Sequence, residues 1–362
     1  MKQTKRPLKI LCITPESDKH KTPETGFIEL LIKRGHKVVL QYTNYDMGVV
    51  EIHKQALGFS PDVIWSAMEY SLPTAIIYKR LLKTPVYAHI ECIPPWRTGL
   101  ADPKDWGYDY EGSKTDINTE NSPEGTFKFV PFYKDLVDLF NQCETKTISA
   151  ESWRFTFEQL TGQPLIAGVK NYTYDADMLE SYKEDYVEKN QIFTIARFVP
   201  IKRVHHILKA LSLIPKEKRP KYVLVGYGEH DRYLRELART LEIDVDFVGS
   251  GQNGLKEKVM QESMFGVQLA SAMPVLESAY YGKHCIGYNY PQCYEALGDI
   301  LTYCENNNIE ELAKVIMETI PKRKELGLKS REILFKNFDP EKFIINIEKN
   351  LYEAIQKCGD EQ

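Results

Sequence analysis

The stretch Thr194-Ile-Ala-Arg197-Phe-Val-Pro-Ile-Lys202-Arg203-Val-His-His-Ile-Leu-Lys-Ala-Leu211 holds one repeat of the fold. A β-branched run ends at Arg197. A proline-containing loop brings Lys202, and a helix follows with Val204, Ile207, Leu208 and Leu211 on one face. Such a unit sets two cations at the C-terminal edge of a strand, beside a helix N-terminus, which suits a diphosphate. The same pattern also fits a solvated loop with two surface cations. The segments around it bear on the choice.

Outward from this unit, strand-like and helix-like runs alternate. Strands are predicted at 8–14, 37–42, 61–66, 85–90 and 145–149, with helices at 27–34, 74–83 and 152–161. A second series has strands at 192–197, 222–225, 245–248, 265–269 and 285–288, and helices at 204–213, 231–241 and 275–281. Apolar strands separated by helices predict parallel sheets covered on both faces. The charged stretch 182–190 reads as a linker. The expected organisation is an N-terminal Rossmann-like domain over 1–185, with an insertion at 97–130, and a second Rossmann-like domain over 191–338. A C-terminal segment, 339–362, is expected to pack back on the first domain through an amphipathic helix bearing Phe343, Ile344, Ile347, Leu351 and Ile355. A cleft between two such domains is the default ligand site.

Composition narrows the function. The chain has 362 residues, 43% hydrophobic and 27% charged, with net charge −4. That balance argues against nucleic acid as the main partner, which normally demands a net basic domain. Seven cysteines at wide spacing, without a CxxC, point to a reduced cytoplasmic chain, not a disulfide or zinc framework. No run approaches the ~18 apolar residues of a membrane span. The basic and apolar segment 76–83 fits a peripheral contact with the cytoplasmic face of a membrane, but fits better a core-facing helix with a solvated basic stripe. The strings Asp175-Ala-Asp177 and Asp244-Val-Asp246 have the form of a metal-binding Asp-x-Asp, but such matches are frequent in an acid-rich chain, and no metal is expected. Gly226-x-Gly228 lacks the third glycine of a dinucleotide fingerprint, which excludes a Rossmann dehydrogenase.

Three segments in order resemble the retaining GT-B glycosyltransferases of glycosyltransferase family 4. The family's Gly-Arg-x-x-x-x-Lys-Gly turn reads here Ala196-Arg197…Lys202-Arg203. Its Val-Gly-x-Gly-Glu turn reads Val225-Gly226-Tyr-Gly228-Glu229. Its Leu-Pro-x-Leu-Glu-Ala-x-Ala-x-Gly-Lys-Pro segment reads Met273-Pro274-Val-Leu276-Glu277-Ser-Ala279-Tyr-Tyr-Gly282-Lys283-His284. The resemblance spans roughly 190–320. In the first domain, Gly26, ahead of the helix at 27–34, matches the family's phosphate-approaching glycine. His89 matches its strand-end histidine near the transferred sugar. By itself, a lone histidine in an apolar strand reads as structural. Asn171 echoes a Pro-Asn-Gly segment, without the glycine. One departure stands out: the acid expected eight positions before Glu277 is Leu269.

The resemblance implies an α/β GT-B fold and an enzyme that moves a sugar from a nucleoside diphosphate, UDP- or GDP-linked, to a hydroxyl. Configuration would be retained, and no cofactor or metal is implied. Arg197 and Lys202 would stabilise the leaving diphosphate. Gly226, Gly228, Ser271, Met273 and Glu277 would line the donor site, Glu277 on the ribose diol, and the stretch 247–251 would select the base. The acceptor, whether glycan, lipid or small molecule, would meet the first domain, with Glu91, Trp96 and Trp106 as candidates and Tyr108 and Tyr110 beside them. Leu269 motivates an alternative, a catalytically weak relative that binds nucleotide-sugar or glycan as a scaffold. A sugar-nucleotide epimerase of the same architecture is a second alternative. Oligomeric state is left open.

Overall fold

The computed structural model describes residues 6–15, 23–43, 50, 52–90, 137–149, 151, 154, 158, 162, 164–167, 174–199 and 202–360. The candidates Glu91, Trp96, Trp106 and Asn171, and the insertion 97–130, lie outside the described residues. Those described fall into two units: 6–90 with 137–167 and 340–360, and 174–339.

The first unit carries a parallel sheet in the order β2-β1-β3-β4-β5-β6. Its strands are β1 (Lys9–Pro15), β2 (Lys37–Thr43), β3 (Val63–Ser66), β4 (Val86–Ile90), β5 (Thr145–Ile148) and β6 (Ile166–Ala167). Every neighbouring pair is parallel. Helices Pro23–Lys33 and Pro340–Asp360 share a core with this sheet. Phe27 and Leu31 meet Ile10, Cys12, Trp65 and Tyr87, and Ile344, Ile347, Leu351 and Ala354 close the cluster. Fully burying each such aliphatic side chain is worth about 1.5–3 kcal/mol. Charge fixes the same packing. Arg34 grips Glu348 through Nε and Nη2 at 2.7 and 2.8 Å. His36 Nδ1 accepts from the Leu8 amide at 3.0 Å, so its proton sits on Nε2, which donates to Glu348 at 2.8 Å.

The second unit has the order β12-β11-β10-β7-β8-β9. Its strands are β7 (Gln191–Ile195), β8 (Lys221–Val225), β9 (Val245–Gly249), β10 (Phe265–Val267), β11 (Cys285–Tyr288) and β12 (Thr302–Cys304). All pairs are again parallel. Side chains alternate across the sheet. Ile192, Tyr222, Leu224 and Phe265 join helices Val204–Leu213 and Ile309–Asn337 on one face. Phe193, Val223 and Val225 meet Val259 and Met260 of helix Leu255–Glu262 on the other. Both faces are covered, as continuous apolar strands require. The charged stretch 182–190 is held along this unit: Lys283 and Arg323 bind Glu188 at 3.0 and 2.9 Å, and Lys189 binds Glu262 at 2.7 Å.

Candidate functional site

The strand order of the second unit reverses between β7 and β10. From β7 the chain runs outward to β8 and β9, then returns to place β10 on the other side. Loops leaving the carboxyl ends of β7 and β10 therefore diverge and open a crevice, the usual ligand position in an open α/β sheet.

Arg197 and Lys202 lie in the loop after β7. Arg197 is exposed, and among the described residues its guanidinium has no hydrogen-bond partner. Lys202 reaches across the switch point and donates to the Ala270 carbonyl at 2.6 Å. Helix Val204–Leu213 then begins at Arg203, in the left-handed region at φ 53°. Ser271 and Met273, half-buried, sit across the crevice at the start of helix Met273–Tyr280.

The glycines of the β8 turn explain how this loop is held. At Gly226, φ 143°, a Cβ would lie 1.8 Å from the Ala196 carbonyl oxygen. At Gly228 it would lie 2.6 Å from that of Phe198. Without side chains the two turns lie backbone on backbone. Ala196 N bonds Val225 O at 3.0 Å, Phe198 N bonds Tyr227 O at 2.9 Å, and His230 N bonds Phe198 O at 2.9 Å. The buried Phe198 ring meets Phe247 edge-on at 6.3 Å, below Arg197 in sequence by one residue. Gly226 and Gly228 thus position Arg197 through the backbone.

Glu277 lies in helix Met273–Tyr280 and is 8% exposed. Burial lifts its carboxyl above the ordinary range, and Lys256 pulls it back. Lys256 Nζ sits 2.7 Å from Glu277 and 3.4 Å from the buried Glu257. Nothing in the sequence marks Lys256, since the pairing is tertiary across 21 positions. We expect Lys256→Met to cost about 2 kcal/mol near pH 7.5, below the roughly 3–5 of breaking a fully buried pair, because the lysine is partly solvated. Losing the cation raises the folded pKa of Glu277 further above its unfolded value. Stability from that group is present below the unfolded pKa and lost as pH rises through the folded one. The penalty should therefore shrink near pH 5. Denaturant unfolding at both pH values checks this, and an equal loss at both would refute it.

Leu269, in place of the expected acid, is 1% exposed and belongs to the apolar core. The Arg203 side chain is also 1% exposed, and among the described residues its Nε and Nη2 have no hydrogen-bond partner. The only sequence signal for this residue was its position, where the family pattern has glycine. The end of the third motif is structural: Gly282 ends the helix at φ 69°, and His284 bridges Ser330 at 2.7 Å and Thr302 at 2.8 Å.

Two further candidates sit in the first unit. His89, on β4, is fully buried, which pushes its imidazole down to about 3. It is neutral at ordinary pH. Thr147 donates to Tyr87 at 3.1 Å and so accepts from His89 Nδ1 at 2.7 Å. Among the described residues Nε2 is left as an acceptor with no partner. Gly26 corrects an expectation. It does not precede its helix but lies inside it, because Pro23, with φ already fixed for a helix, starts the first turn.

The Asp-x-Asp strings have structural partners. Asp175 caps helix Ala176–Ser181 through the Met178 amide at 2.8 Å, and Asp246 pairs with Lys221 at 2.7 Å. Among the described residues no cluster of three His, Cys, Asp or Glu side chains could hold a metal ion, and no helix is long and apolar enough to cross a membrane.

Residues 180–336 match the family model described as Glycosyl transferases group 1. They form a glycosyl transferases group 1 domain. This glycosyl transferases group 1 domain takes in the whole crevice, from Arg197 to Glu277. No curated protein gives a significant sequence match. Among solved structures, the chain is similar to Anabaena Alr3699/HepE in complex with UDP-glucose. Identity is 15%, coverage 95% of this chain and 99% of that one, and the TM-score 0.64. It is also similar to an alpha,alpha-trehalose-phosphate synthase (UDP-forming) from Burkholderia vietnamiensis, with 9% identity, coverage of 97% and 98%, and TM-score 0.66. A third is S. aureus TarM in complex with Fondaparinux, alpha-GlcNAc-glycerol and UDP. There identity is 12%, coverage 80% and 55%, and the TM-score 0.57. At these identities the likeness is one of fold, and the fold is GT-B.

Proposed function

We propose that the protein transfers a sugar from a nucleoside diphosphate donor to a hydroxyl acceptor, with retention of configuration. The observation that carries this reading is the pair Arg197 and Lys202 at the β7/β10 switch point, one guanidinium unpartnered among the described residues and the other cation spanning the crevice mouth. As the glycosidic C–O bond breaks, negative charge grows on the departing diphosphate. A fixed guanidinium fork and a point charge stabilise that charge more in the transition state than in the ground state. Glu277, kept ionisable by Lys256, serves the ribose hydroxyls. His89 Nε2, a neutral acceptor, serves a sugar hydroxyl. Similar structures solved with UDP-glucose or UDP favour a uridine donor.

A second reading is favoured by Leu269. With an apolar side chain where the family has an acid, the sugar end of the donor site loses a hydrogen-bond acceptor. A protein that binds nucleotide but turns over slowly would then result.

A thermal-shift screen across UDP, GDP and ADP tests both readings. A ligand at a hundred times its Kd adds about 2.7 kcal/mol to folded-state stability. UDP should raise the Tm, and release of sugar from UDP-hexoses, with the product anomer assigned by NMR, should follow. A Tm raised by UDP without turnover selects the second reading. No shift with any nucleotide defeats both.

A further inference from the structure

The guanidinium of Arg203 has no role in the site as described so far. Its side chain is 1% exposed. Among the described residues Nε and Nη2 find no acceptor, and no carboxylate pairs with it. A buried charge without a counter-charge is among the least favourable arrangements a folded chain can hold. The backbone adds strain, since Arg203 sits at φ 53°, in the left-handed region that favours glycine. Neither feature helps the fold. Both make sense where a negative group on a ligand supplies the missing partner.

Topology places this charge. Arg203 follows β7 and opens helix Val204–Leu213, and its charge acts on the Tyr288 phenol at the end of β11. Strand β10 lies between β7 and β11. Neighbouring strands are about 4.8 Å apart, so a group acting from one strand end to the next but one acts across the end between. Leu269 stands at that end, two residues beyond β10. It shares one apolar cluster with Tyr288 and with Val204, the residue after Arg203. Beside it, Lys202 ties the β7 loop to the Ala270 carbonyl at 2.6 Å. A donor that draws Lys202 onto its diphosphate loosens this tie and admits the sugar beside Arg203.

Charge matching names the ligand. A sugar–nucleoside diphosphate carries one negative charge on each phosphate, and Arg197 and Lys202 match them one for one. Arg203 is then left over. A sugar hydroxyl is neutral and does not balance a buried cation. A carboxylate does, taking the guanidinium fork through both oxygens. An acid at position 269 would repel such a sugar, whereas Leu269 does not.

We propose that Arg203 is a specificity-determining residue, and that the donor sugar it selects carries a carboxylate, as a uronic acid does. The inference rests on the transferase reading above and names the substrate class for it.

Titration calorimetry on the full chain tests it with UDP and two matched pairs: UDP-glucose with UDP-glucuronate, and UDP-galactose with UDP-galacturonate. Where GDP is the nucleotide bound, GDP, GDP-mannose and GDP-mannuronate take their place. The expected result is that one uronate binds at least about tenfold tighter than its neutral partner, the size of one charge-assisted hydrogen bond. Arg203→Gly, which the left-handed backbone accepts, and Arg203→Gln should abolish that preference and leave the affinity for the nucleotide alone unchanged. Arg203→Gly should also raise the Tm of the chain by itself, because it removes an unpaired buried charge and a strained backbone. Equal binding of neutral and acidic sugars by the wild type overturns the inference, whether or not the variants fold. So does a preference that survives in either variant, or a loss shared equally by the nucleotide alone, which assigns Arg203 to the diphosphate. A chain that binds none of the nucleotides defeats the transferase reading itself, an outcome distinct from equal binding within the pairs.

Discussion

Gly226→Ala should lower the melting temperature by about 10 °C. The methyl group would be forced to within 1.8 Å of the Ala196 carbonyl oxygen, and the residue sits at φ 143°, where a side chain is strained in any case. Overpacking against a rigid neighbour costs about 1–3 kcal/mol and a positive φ about 1–2 more, a total of roughly 3–5. For a unit of this size each kcal/mol shifts the Tm by about 2–4 °C. The neighbour is backbone, in a loop tied to the β8 turn by three backbone hydrogen bonds, so it cannot swing aside as a side chain could. Gly58→Ala is the control. It lies in helix Lys54–Phe59 with nothing within 4 Å of the added carbon, and should be neutral or slightly stabilising. A melting temperature within about 2 °C of wild type for Gly226→Ala would show that the turn relaxes cheaply.

Arg197→Ala should cut turnover of the cognate donor about 10²–10³-fold, the usual effect of removing one donor aimed at developing charge. The loss should fall mainly on kcat, with the Tm unchanged, because the side chain is exposed and bonds no described residue. Arg197→Lys should recover only part of it, since an ammonium cannot make the bidentate fork. Steady-state kinetics with donor hydrolysis or transfer checks both variants. Wild-type turnover in Arg197→Ala would remove Arg197 from the chemistry.

The parts of the molecule legible in its sequence are those whose signal is local. The apolar strands of both series lie where hydrophobic runs put them; Arg197 and Lys202 lie in the loop after β7, and Glu277 lies in helix Met273–Tyr280. What stayed hidden depends on tertiary contact or on competing signals. Helix Ile309–Asn337 contains Pro321, normally a helix breaker, and its apolar face is interrupted by charge. Strands β6 and β12 are two and three residues long, too short for a period to show. Gly26 looked like a loop glycine because glycine usually marks loops, whereas Pro23 three residues earlier set the helix start. The Lys256–Glu277 pair and the surroundings of the buried Arg203 guanidinium are assembled from separate segments.

The helix Pro340–Asp360 fills the first unit's core with residues made last. Ile344, Ile347, Leu351 and Ala354 close a cluster whose other members are complete once β4 has been synthesised. At about 5–20 residues per second, the ribosome takes on the order of 10–50 s to travel between them. During that interval Trp65, Phe27 and Leu31 have no lid over them, while the second unit, contiguous in sequence, can fold as it emerges. The order of folding in a cell is therefore expected to run against the order of synthesis, with the first half waiting on the tail. A chain halted before Ile344 would carry a finished second unit and a first unit open to chaperones and proteases.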